Sequence, residues 1–170
     1  MFPNQERMQA PPETAAEGLP ALVADLAAGV AAAATRRLRK VAASSADALA
    51  QIAGTSPELA RRIAEVPGAL PTLVAAVAAG GAAAAPSLQD AAAHSAAVLG
   101  HIAQGGPELA RRVVEVPRAL RTLVAATASG GATATPSLQG AAANSSWVLA
   151  LIALAGPELA RRVAQVPGAL

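Results

Sequence analysis

The sequence predicts an all-α fold, an α-solenoid of about three three-helix repeats with a period of 50 residues. Three observations predict it. A proline-led motif, PELARR, recurs at Pro57, Pro107 and Pro157, with a spacing of 50 residues. Hydrophobic residues make up 54% of the 170-residue chain, and about 50 residues are Ala, the strongest helix former and a poor strand former. No stretch alternates apolar and polar residues with period two, so strands find no support.

Each unit reads as three helices. The first spans about Pro57 to Val66: Pro suits a first helical turn, Ser56 caps it, and Leu59, Ile63 and Val66 share a face. Glu58 and Arg62 stand four apart in the favourable orientation, and Arg61 reaches Glu65 in the same way. The second helix, about Ala69 to Ala79, buries Leu70, Leu73, Val74 and Val77 and stops at Gly80-Gly81. The third, Ser87 to Gln104, carries Leu88, Ala92, Ser95, Leu99 and Ile102 at spacings of four and three, which is a buried seam. A diverged earlier copy occupies Gly18 to Ser56. One such unit exposes its apolar stripes when alone, whereas stacked units bury them continuously.

The predicted organisation is a disordered leader over residues 1–17 and an array over 18–170, with units at roughly 18–67, 68–117 and 118–167. The chain stops at Pro167-Gly168-Ala169-Leu170, where another unit would open, so it reads as a segment of a longer array.

The run AVLGHIAQGGPELARRVVEVPRALRTLVAA, Ala97 to Ala126, resembles the armadillo repeat: a long helix, a Gly turn, a short helix and a Gly-Ala-Leu-Pro-x-Leu-Val opening. Residues 68–74, GALPTLV, match that opening closely. The resemblance covers about Gly18 to Leu170 and implies a right-handed superhelix of the importin-alpha or beta-catenin type. It implies a protein- or peptide-binding surface on the concave face, lined by the third helices. Two departures stand out. The units have 50 residues where armadillo units have about 42, and the excess lies in AGGAAAAPS and SGGATATPS, which read as flexible, exposed loops. In peptide-binding members a Trp and an Asn line the groove. Those positions fall at Asp47, Ala97 and Trp147, and at Gln51, His101 and Leu151. Only the Trp of the last unit is kept, which argues against binding of nuclear-localisation signals.

Along the same stripe the first copy presents Lys40, Ser44, Asp47 and Gln51, the second Asp90, His94, Ala97, His101 and Gln104, and the third Asn144, Trp147, Leu151 and Leu154. The face thus passes from charged to polar to apolar. Gln51, His94, His101, Trp147 and Leu151 are the candidate partner-binding residues, with Trp147 and its leucines either an anchor patch or a face packed against a further repeat. Arg36, Arg37, Arg39 and Lys40 form the one cation cluster, placed at a helix start where it opposes the macrodipole. Arg118 and Arg121 replace Gly68 and Pro71 of the previous unit and make a smaller basic spot.

Composition narrows the function. The formal net charge is +2, from 13 cations against 11 anions. The sequence pI of about 10.4 reflects the absence of Tyr and Cys and weighs little as a sign of nucleic-acid binding. Aromatic residues are 1% of the chain, too few for base-stacking platforms. With no Cys, disulfides, thiol nucleophiles and thiolate metal sites are excluded. His94 and His101 are separated by about 10 Å of helix rise, too far for a metal pair. The glutamates repeat with the array beside arginines and read as solvated ion pairs. The Asn144-Ser145-Ser146 glycosylation triplet sits in a predicted helix of a chain that lacks a secretory pattern. The stretch from Ala141 to Ala155 is short and polar for a membrane span.

The reading is therefore a non-enzymatic scaffold or adaptor for a protein or peptide partner. It takes no cofactor, metal or small-molecule substrate, and is soluble and cytoplasmic, or nuclear. Two alternatives stand beside it: a helical protein associated with anionic membrane or nucleic acid through residues 36–40, and a repeat segment of a larger multidomain protein such as a ubiquitin ligase.

Overall fold

A computed structural model describes residues 17–169. The expected leader lies outside them except for Glu17, whose backbone is already helical. The fold is all-α. The described residues form nine helices and no strand: α1 Leu19–Val30, α2 Arg36–Thr55, α3 Pro57–Glu65, α4 Ala69–Ala79, α5 Pro86–Gln104, α6 Pro107–Glu115, α7 Ala119–Ala128, α8 Pro136–Leu154 and α9 Pro157–Ala164.

Local chemistry sets these boundaries. Thr35, Ser56 and Thr135 each accept a hydrogen bond from the backbone N–H three residues on, at 3.2–3.3 Å, which satisfies a donor that the helix start leaves orphaned. Pro opens α3, α5, α6, α8 and α9, where its missing N–H costs nothing. After α3 the chain turns through Gly68, at φ 78°, and α4 leaves at 95° to α3. The same left-handed corner recurs at Gly168 and, with a side chain, at Arg118.

Helices fifty residues apart pack on one another. The long helices α2, α5 and α8 form one layer, α1, α4 and α7 form a second, and each long helix also packs against its own unit's member of that layer. The short helices α3 and α6 bridge successive long helices, and α9 rests on α8. The seam is built from Leu26, Leu49, Leu73, Leu99, Ile102, Leu123 and Ile152, all fully buried. Each such side chain contributes about 1.5–3 kcal/mol. Small residues let the layers touch: a Cβ on Gly80 would overlap the Cβ of Ala92, and Gly130 stands in the same relation to Ala142.

Polar bonds tie the units together along the long-helix layer. The Gln89 amide, 4% exposed, donates to the carbonyls of Ala82 and Ala84 at 3.3 Å, while its oxygen accepts from Thr135 Oγ1 at 2.8 Å. The 80–85 loop, expected from its Gly and Ala to be flexible, is thus anchored from below. Ser137 donates to the Asp90 carboxylate, and Asn144 Nδ2 donates to the Ala93 carbonyl at 2.9 Å. Arg112 Nη2 crosses to the Ala64 carbonyl at the C-terminus of α3, at 2.8 Å, where the helix leaves acceptors unsatisfied.

Among the described residues one helix, α8, is long and apolar enough to cross a membrane. It starts at Pro136, earlier than the stretch weighed from sequence, and it packs laterally on α5, α7 and α9.

Candidate partner-binding face

The candidate residues on the long helices fall along one stripe of the α2–α5–α8 layer. They reach it because α2, α5 and α8 stack in a repeating register, which turns intervals of four and seven within a helix into a row across helices.

The first part of the row is an internal network. Asp47 Oδ2 accepts from Gln51 Nε2 at 2.9 Å, and Oδ1 faces His94 Nδ1 at 3.5 Å across the α2–α5 boundary. Both side chains of the Asp47–His94 pair are nearly half exposed, at 46% and 40%, so the pair orients the groups more than it stabilises the fold. Gln51 itself is exposed.

The second part is a ring contact. His101, half-buried, sits with Nε2 against the backbone of Gly54 on α2 and meets Trp147 of α8 edge-on, with ring centroids 5.2 Å apart at 81°. The Trp147 indole lies over Gly100. Its packing partner among the described residues is the preceding unit. Trp147 and Leu151 remain half-buried, while Leu154 is 83% exposed. These residues end the row in an apolar patch. Asn144, on the same stripe, is occupied in holding α5 to α8.

The basic cluster stands apart. Arg36 and Arg37 open α2, about 20 Å of helix rise from Gln51, and both are exposed. Arg39 is half-buried and donates Nε to the Ala34 carbonyl at 3.1 Å, which leaves Arg36, Arg37 and Lys40 as its free cations among the described residues. Lys40 borders a shallow hollow with Leu22, Val41 and Ser44.

One feature on the opposite layer was only half legible in the sequence. Arg118 and Arg121 border a hollow of about 300 Å³ between α4 and α7, with Val77, Ala78, Ala125 and Ala126 among its lining. The sequence marks the two arginines as departures from the previous unit; the hollow depends on how far α4 and α7 stand apart, and no local signal carries that. Among the described residues no group of three or more His, Cys, Asp or Glu is placed to hold a metal ion. No family model matches the chain, and no curated protein is significantly similar to it.

Proposed function

We infer that the chain is a right-handed, armadillo-like solenoid that acts as a non-enzymatic scaffold, binding a protein or peptide along the α2–α5–α8 face. The observation that carries the reading is the continuous row from Asp47 and Gln51 through His94 and His101 to Trp147, Leu151 and Leu154. Polar groups there offer hydrogen bonds to an extended backbone, and the half-buried indole with an 83%-exposed leucine supplies an apolar anchor. The missing Asn at Gln51, His101 and Leu151 makes the occupant something other than a nuclear-localisation signal.

The test is selection of binding peptides from a displayed library, with affinity measured at low and high salt. Expected is salt-insensitive binding that weakens at least tenfold in Trp147→Ala and in Leu151→Ala. Binding that instead disappears with salt and with Arg36→Ala plus Arg37→Ala would move the function to the basic cluster and an anionic surface.

A further inference from the structure

We propose that the hollow between α4 and α7 is a binding site for a small amphipathic anion, an organic carboxylate or phosphate bearing a short apolar tail, with Arg118 and Arg121 holding the headgroup. The site shares none of the candidate residues of the α2–α5–α8 face and is lined mainly by the other helix layer, with Ala141 of α8 beside it.

Three observations lead to it. The hollow has a volume of about 300 Å³, at the lower end of the range in which proteins take up small organic ligands. Such sites combine an apolar lining with a few polar groups that fix orientation. Here Val77, Ala78, Ala125 and Ala126 supply the apolar lining.

Both cations at its border are free. Among the described residues neither Arg118 nor Arg121 has a carboxylate within 4.0 Å. Guanidinium groups present planar forks of donors suited to carboxylate and phosphate oxygens. The headgroup would also lie near the start of α7, where the helix favours negative charge.

The third observation is where Arg118 stands. Its φ is 67°, the one left-handed non-Gly backbone among the described residues, at a corner that the units on either side build with Gly68 and Gly168. A residue that carries a side chain there holds the chain in a conformation L residues disfavour. Arg121 likewise replaces Pro71. The same corner and the same helix start are thus made without cations one unit earlier. Both changes put an arginine among the residues that line this hollow.

The experiment uses the full chain and 8-anilinonaphthalene-1-sulfonate, a fluorescent probe with an apolar body and one anionic group. Expected is saturable binding to one site, displaced by octanoate or by octyl phosphate but not by octylamine; whichever anion displaces at lower concentration identifies the headgroup. Arg118→Gly plus Arg121→Pro installs the residues that the previous unit carries at these positions. It should weaken probe binding at least tenfold with helix content unchanged. Arg121→Gln, an exposed single change, should weaken it several-fold and serves if the double variant misfolds. Arg36→Ala plus Arg37→Ala should leave it unchanged. Non-saturating binding, equal displacement by octylamine, or undiminished binding in the Arg118 and Arg121 variants would overturn the proposal. So would binding to anionic vesicles without displacement by the monomeric anions.

Discussion

The indole of Trp147 lies on Gly100 of the neighbouring long helix, so close that a methyl group at position 100 would overlap ring atoms Cζ3 and Cε3. His101, the next residue, meets the same indole edge-on at 5.2 Å. Gly100→Ala therefore expels the ring. Because one side of the indole faces solvent it can swing outward, and Ala gains about 1 kcal/mol over Gly within a helix. The expected outcome is a small change in denaturation midpoint with a clear red shift of Trp emission. Unshifted emission would mean that the ring does not rest on Gly100.

Gly80→Ala has the opposite signature. The new methyl meets the Ala92 Cβ and the Leu88 carbonyl, neither of which can rotate away. The layers α4 and α5 must separate, at a cost of about 1–3 kcal/mol. Urea denaturation should show that loss with little change in Trp emission, since Trp147 lies on α8.

Arg118→Gly should stabilise the chain. Its backbone sits at φ 67°, and relieving a left-handed non-Gly residue recovers about 1 kcal/mol. A rise in thermal midpoint is expected. A fall would show that the Arg118 side chain makes contacts worth more than its backbone strain.

Ser95 and Ser145 occupy equivalent positions, and each has its Oγ buried without a hydrogen-bond partner. Ser95→Ala removes an unpaired polar atom and should raise stability by about 1 kcal/mol. Ser145→Ala should act alike, and the two gains should add. A loss in either variant would point to a water bonded to the hydroxyl.

Much of the helical pattern was legible because it is local. The second helix of the middle unit runs from Ala69 to Ala79 as its stripe and its Gly stop predict. Ser56 caps α3, and Arg61 pairs with Glu65 at 3.4 Å. The candidate row was legible in its membership, since a spacing of 50 residues places equivalent side chains in line. It was not legible in its contacts. That Asp47 orients His94, that Asn144 staples α5 to α8, and that Trp147 turns back onto Gly100 all depend on the separation of helices from different units. No local signal in the sequence sets Gln89 apart. Only packing makes it the buried anchor of a loop and the partner of Thr135.

The three copies of PELARR divide the two contributions. Sequence alone determined that each copy begins a short helix, because Pro in the first turn and apolar residues at a spacing of four act within one segment. Their arginines then part ways. Arg62 lies 3.8 Å from Glu58 within its own helix, whereas its counterpart Arg112 crosses to the Ala64 carbonyl at 2.8 Å; Arg61 pairs with Glu65 at 3.4 Å, whereas its counterpart Arg161 turns to its own Pro157 carbonyl at 3.4 Å. Identical hexapeptides make different bonds because a long guanidinium side chain takes the acceptor its neighbours leave open. Arg112 has the end of α3 in front of it. That choice, like the position of the indole and the hollow beside Arg118, was decided by the stacking of one unit on the next.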